Sequence, residues 1–341
     1  YNNYNSLKRD RFFGNVVVKT EVTNWFDIMG RGAVDFYHQL QEERIAVGSK
    51  RTPNGLGQYS RYDKNFREII LDLVLNFKTA ITDGISFNGM LGGNSRRSVN
   101  NSIYALTNGG LVVPGIYALT NSIDGITSPE EQQVTLGTNS VYGMASFNFL
   151  DTYFLEGTYR VDQSSTLPKD NNTYSYPSIT GTYIFSNHIK ADWLSFGKLR
   201  LNYAETGNDA PFAVTSTLYP KNFNFGPGGV RFSTDNDKSN SDLKSELTKG
   251  VEAGLELKFF KNRLGVDFSY YKTNTTNQIL SIETPTQTGY TRAWINAGNV
   301  QNKGFEVTVN AAPIKTKDFS WQATVNWSTN KNEVISLGGA S

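Results

Sequence analysis

Acid–base chemistry would need paired carboxyls, and two groups of them stand out. Asp27 and Asp35 flank Arg31, and Glu252, Glu256 and Asp267 form a second set. A glycosidase uses two carboxyls about 5 to 9.5 Å apart, one to protonate the leaving oxygen and one to attack or to activate water. The two histidines, His38 and His188, fall in different connections, so neither has a partner for a triad or a metal site. Oxygen-bearing side chains alternate at Asp235, Asp237 and Ser239, as at the start of a calcium loop. Asn240 stands where such a loop needs glycine, and an ordinary polar loop is the preferred reading. Cysteine is absent, and no P-loop or Rossmann fingerprint occurs. No residue is assigned a catalytic role, and no enzyme is expected.

The elements that would position these carboxylates are strands. Phe319, Trp321, Ala323, Val325 and Trp327 alternate with Ser320, Gln322, Thr324 and Asn326. Phe305, Val307, Val309 and Ala311 alternate with Glu306, Thr308 and Asn310. Val251, Ala253, Leu255, Leu257 and Phe259 repeat the pattern, as do Leu264, Val266, Phe268 and Tyr270. Such period-two patterning marks strands with one apolar and one polar face. Further runs near 12–20, 25–36, 66–77, 85–94, 141–149, 153–161, 177–185 and 199–206 bring the expectation to twelve strands in six hairpins.

Composition agrees with an all-β chain. Of 341 residues, 38% are hydrophobic and 13% aromatic, a usage that favours strands over helices. The 33 Lys and Arg nearly balance 31 Asp and Glu, which argues against a surface built to neutralise nucleic-acid phosphates. No run of about 18 apolar residues offers a spanning helix, but a barrel crosses with strands whose alternate residues turn away from lipid.

Three features favour a membrane barrel over a soluble sandwich. Most runs reach the length of about 9 to 11 residues that a tilted strand needs to cross a bilayer. Short links, as at 21–24, 82–84, 151–152, 261–263 and 315–318, alternate with long ones at 37–65, 95–140, 162–176, 207–250 and 274–304. That is the layout of periplasmic turns and extracellular loops. Trp25, Phe26, Phe77, Phe147, Phe149, Tyr153, Phe185, Phe259, Phe260, Phe319 and Trp321 lie beside the short links, as an interfacial aromatic girdle would. On this reading the charged groups become a hydrated, lumen-facing wall rather than an acid–base pair.

Particular stretches are also recognisable. NAGNVQNKGFEVTVNAAPIKTKDFSWQATVNWSTNKNEVISL (296–337), LTNGGLVVPGIYALTNS (106–122), SSTLPKDNNTYSYPSIT (164–180), ADWLSFGKLRLNYAETGND (191–209) and LELKFFKNRLGVDFSYYKTNTTNQIL (255–280) resemble the SusC/RagA family of TonB-dependent outer-membrane transporters. The resemblance runs from about residue 4 to 337. It implies part of a transmembrane barrel of about 22 strands, filled by a plug, in a Gram-negative outer membrane. It also implies import of oligosaccharides or peptides, energised by the TonB–ExbB–ExbD complex through an N-terminal box, under a SusD-like surface lipoprotein lid. About twelve strands, with no plug, TonB box or final strands, read as an internal piece of such a barrel.

The same resemblance suggests where substrate would bind. Sugars offer apolar C–H faces and hydroxyls, which aromatic rings and planar amides match. On the long connections Tyr104, Tyr117, Asn208, Asp209, Phe223, Phe225 and Trp294 are the candidates, with Tyr219 beside them. Asp27, Arg31, Asp35, Glu252, Glu256 and Asp267 would face the lumen, where their mixed signs suit contacts to a plug. A glycan-binding or adhesion module without transport is the alternative, and a hydrolase the third possibility.

Overall fold

In the computed structural model, which describes residues 3–222 and 231–337, the alternating runs are strands. Twelve long ones occur among the described residues: β1 (Tyr4–Thr23), β2 (Phe26–Ile45), β3 (Gln58–Thr82), β4 (Ile85–Leu106), β5 (Glu130–Phe149), β6 (Tyr153–Ser164), β7 (Thr173–Tyr183), β8 (Leu194–Asn208), β9 (Glu246–Phe259), β10 (Leu264–Glu283), β11 (Arg292–Lys315) and β12 (Ser320–Ser336). Each is hydrogen-bonded to its neighbour in sequence within one sheet, and the pairs from β6 to β12 are antiparallel. A two-residue segment, Asp237–Lys238, joins this sheet in parallel beside Arg292 and Ala293.

The strands extend beyond the alternating runs at their long-connection ends, so several segments expected to be loops are ladders. Tyr104 lies in β4 and Trp294 in β11 rather than on loops, Asn208 closes β8, and His38 sits inside β2. The connections between long strands contract to 46–57, 107–129, 165–172, 209–245 and 284–291. Side-chain contacts such as His38 with Asp63 at 3.0 Å and Asn208 with Glu246 at 3.0 Å reinforce the backbone ladder in these extensions. Mixed polar and apolar packing at these ends imposes no strict apolar alternation, so the period-two signal ends before the strand does.

Short turns close the other ends. Between β9 and β10 the turn begins one residue earlier than the polar tripeptide suggests: Phe260, Lys261 and Asn262 take φ of 53°, 55° and 64°. This left-handed region costs an L-residue about 1 to 2 kcal/mol. The Phe260 amide donates to the Trp193 carbonyl at 3.0 Å, and the Asn262 amide to Ser195 Oγ at 3.2 Å, holding the turn against the β7–β8 link. That link carries a short 3-10 turn at Phe185–Asn187.

The chain divides into two compact units, residues 1–18, 30–73 and 94–138, and residues 19–29, 74–93 and 139–341. In the second unit, cross-strand partners place like with like. Leu199, Leu255, Phe268, Val307 and Trp327 form one row across β8 to β12, and Leu257, Val266, Val309 and Val325 form the next. On the opposite face Lys198, Glu256, Asp267, Thr308 and Asn326 form a polar row. Leu201, Val251, Phe305, Val325 and Trp327 on the apolar face are exposed. A buried cluster lies near the long-connection ends: Leu167, Ala210, Val214 and Leu243, with Tyr174, Ile279 and Trp294 packed against it.

Aromatic residues do gather at the short turns of this unit. Phe26 stacks on Phe77 with centroids 5.1 Å apart, Tyr153 on Tyr183 at 4.8 Å, and Trp193 on Phe259 at 5.9 Å. Such pairs contribute about 0.5 to 1.5 kcal/mol beyond their area.

Candidate functional site

Strand pleating alone puts Arg31 and Asp35 on one face of β2, because residues an even number apart share a face. Their partners come from neighbouring strands rather than from each other. In the first unit Arg31 bridges to Asp72 of β3 at 2.7 Å, and Asn94 of β4 donates to the same carboxylate at 2.6 Å. Arg11 of β1 forks onto Asp35, with bonds of 2.8 and 2.5 Å, and Arg96 pairs with Glu68 at 2.7 Å. Tyr37 stacks on Phe66 at 5.0 Å under the Arg9 guanidinium. In the second unit Asp27 pairs with Lys19 at 3.3 Å and accepts from Asn76 at 2.8 Å. The Asp27–Arg31–Asp35 triplet of the sequence is therefore three separate cross-strand contacts.

Glu256 and Asp267 are direct cross-strand partners. Like charges so placed repel, and the repulsion is relieved by Lys198, 2.6 Å from Glu256, and Arg200, 2.8 Å from Asp267; Lys258 adds a contact to Glu256 at 3.3 Å. Glu252 lies on the same face, opposite Tyr271. A carboxylate pair neutralised by three cations suits a hydrated wall and lacks a free acid for glycoside cleavage.

At the long-connection side of this unit, a cleft of about 260 Å³ is lined by Asn171, Tyr174, Tyr176, Lys244 and Asn277 among others. The Tyr174 hydroxyl donates to Asp209, the Tyr176 hydroxyl donates to Asp162, and Arg160 binds Asp162 at 2.7 Å. Asn208 donates to Glu246 at 3.0 Å, and Asn240 donates to the Trp294 carbonyl at 3.0 Å. The structure thus brings Asn208, Asp209 and Trp294 to the base of one loop. There the Asp209 carboxylate and the Trp294 ring already serve loop packing. Tyr174 and Tyr176, which present tilted rings 6.0 Å apart beside the cleft, join these residues without standing among the sequence candidates. Their signal was the TYSY alternation directly after a polar loop.

The remaining candidates scatter. Tyr117, in the first unit, lies beneath the Arg44 guanidinium at 5.6 Å. Tyr104 stands on β4, half-buried, and Tyr219 is exposed. Phe223 and Phe225 lie outside the described residues. The Asp235 carboxylate accepts from the Asp237 amide at 3.3 Å, and Ser239 Oγ pairs with Thr217 at 3.1 Å. Among the described residues no group of three or more His, Cys, Asp or Glu converges on one point. His38 does have a carboxylate partner, Asp63, at 3.0 Å. It adjoins a polar cavity of about 440 Å³ lined by Asp63, Asn65, Asn101, Ser102, Glu131 and Gln132 among others. His188 contacts the Tyr183 hydroxyl at 3.0 Å near a short turn.

Residues 1–340 match the family described as TonB dependent receptor-like, beta-barrel. The chain belongs to that family. Within it, the chain is 31% identical over 205 residues to TonB-dependent receptor P26 of Formosa agariphila, a match covering 59% of this chain and 21% of that receptor. It is 32% identical over 213 residues to TonB-dependent receptor SusC of Bacteroides thetaiotaomicron, covering 59% and 21%. These matches span about a fifth of the relatives' lengths. The fold is similar to that in the structure of the RagAB peptide transporter, with a TM-score of 0.90 at 19% identity over 99% of this chain and 38% of the other. The two-faced antiparallel sheet of this TonB-dependent receptor barrel is the arrangement its alternating sequence demanded.

Proposed function

We propose that this chain forms part of the barrel wall of a SusC-type TonB-dependent importer in a Gram-negative outer membrane. One observation carries the reading. Rows of exposed leucine, valine and aromatic side chains cover one face of the second unit's sheet, and ion-paired polar rows cover the other. A soluble protein would cover such apolar rows; a membrane barrel turns them to lipid and its polar rows to the lumen. Asp27, Arg31, Asp35, Glu252, Glu256 and Asp267 would line that lumen. The cargo would be an oligosaccharide or a peptide, met first by Tyr174, Tyr176 and Asn171 at the cleft. A SusD-like lipoprotein would cap the long-connection side, and the TonB–ExbB–ExbD complex would supply energy. This role involves no bond-breaking chemistry by the chain. The test is cell fractionation of the whole protein with heat-modifiable migration and TonB-dependent uptake of labelled oligosaccharides and peptides. A protein that is monodisperse without detergent would overturn the proposal.

A further inference from the structure

The apolar face of the second unit carries a row of charge. Lys272, Lys303 and Lys331 are successive cross-strand partners on β10, β11 and β12. They share a face with Tyr270, Phe305 and Val307, because residues an even number apart on a strand point the same way. They form the row directly on the long-connection side of the Tyr270–Phe305 contact, whose centroids are 5.0 Å apart. Directly opposed like charges destabilise a sheet. Of the three, Lys331 has an ion pair, to Glu333 at 3.1 Å on the exposed surface. The next row runs through Glu205, Lys249, Asn274, Gln301 and Glu333, with Lys249 paired to Glu205 at 3.0 Å and the amides of Asn274 and Gln301 at its centre. Glu333 offsets one of the three charges, and the row stays net positive at the boundary of the apolar band.

The same row continues into β9 and β8 as Val251 and Tyr203. These two help line an apolar groove of about 550 Å³ with Leu155, Ile179, Leu201 and Tyr270. Gly181 and Ala253 also line it, directly opposite Leu201 on its two neighbouring strands, and their small side chains leave the depression. Groove and lysines therefore meet at one level, apolar on the short-turn side and cationic on the other.

Building on the membrane-barrel reading, we propose that this face is a specific site for a phosphate-bearing, multi-acyl lipid of the outer leaflet. An acyl chain lies in the groove beside Leu201 and Val251, and the phosphate sits over Lys272, Lys303 and Lys331. The lysine stems cover apolar surface while the ammonium groups reach the headgroup level. Each lysine near a charged membrane surface contributes about 1 kcal/mol, which is about fivefold in affinity per side chain.

The test is a native mass-spectrometry titration of the whole transporter in detergent with bisphosphorylated lipid A, and with the same lipid after removal of its phosphates. Wild type binds the phosphorylated form more tightly. Lys303→Gln weakens that preference about fivefold, and the triple Lys→Gln variant weakens it on the order of a hundredfold. The triple Lys→Arg variant keeps it, and inorganic phosphate does not displace the lipid. Equal binding by the triple Lys→Gln variant, equal binding of the dephosphorylated lipid, or displacement by inorganic phosphate would each overturn the proposal. Heat-modifiable migration of every variant reports barrel integrity separately. A wild-type protein absent from the outer membrane would sink the importer reading instead.

Discussion

Truncating Leu243 to alanine should detach the 209–245 connection from the strand ends while leaving the sheet intact. Leu243 is completely buried, against Leu167, Ala210 and Val214, with Tyr174, Ile279 and Trp294 around it. Leu→Ala at closed core sites costs about 2 to 5 kcal/mol, the spread reflecting how far the site collapses. A loop can settle into the space more readily than a strand pair can, so the lower half applies, about 2 to 3 kcal/mol. Local opening would then rise about 30- to 150-fold. The amides that report it are Asn240, which donates to the Val214 carbonyl at 3.0 Å, and Lys244, which donates to Asn296 Oδ1 at 2.8 Å. Hydrogen exchange of the whole transporter, followed by peptide mass spectrometry, should show faster exchange in peptides covering 209–222 and 231–245. Peptides from the short-turn half of β10 and from β12 should be unaffected. Unchanged exchange at Asn240 and Lys244 would show that the buried cluster does not hold the loop, and the assignment of Asp209 and Trp294 to packing would fall with it.

Other perturbations probe the wall. Arg31→Glu removes the counter-ion of Asp72, whose side chain is 6% exposed. It should lower barrel stability by about 1 to 2 kcal/mol, discounted for the half-exposed arginine. The swapped pair Arg31→Glu with Asp72→Arg should restore much of it, read from the temperature at which the compact gel band disappears. At the long-connection end of β3, in the first unit, burial and a hydrogen bond to Glu42 push the Tyr59 phenol from 10.0 up to about 12. A raised phenol favours the folded state fully below pH 10 and loses that contribution as pH climbs toward 12. The Tyr59 bond also holds the Glu42 carboxyl below its ordinary 4.5, so its contribution is present above that pH and fades as pH falls through the lowered value. The difference in tyrosinate absorbance between wild type and Tyr59→Phe should titrate near 12 rather than 10. Gly304→Ala would drive a methyl into the Thr329 carbonyl and the Tyr271 ring. Overpacking of this kind costs about 1 to 3 kcal/mol, and limited proteolysis of β11–β12 should speed up accordingly.

Sequence by itself determined the strands, their faces and the side on which turns are tight. Leu255 and Leu257 had to share a face of β9, and Val266 and Phe268 a face of β10, because strand side chains alternate regardless of what covers them. The gathering of aromatics at the short turns was legible for the same reason, since each lay within a few residues of a turn signal. What only the tertiary structure decided was partnership. Arg31 finds Asp72, 41 residues away, rather than the adjacent Asp27 or Asp35, because register between strands sets charge contacts. Tyr104 and Trp294 read as loop residues in the sequence, since no period-two alternation runs through either stretch to announce a ladder. Trp294 and Asp209 then proved to hold a loop, and the lysine row came into being when three strands aligned Lys272, Lys303 and Lys331 from separate stretches of chain. Alternation is a local property of one strand, whereas contact across strands depends on register, which no single strand encodes.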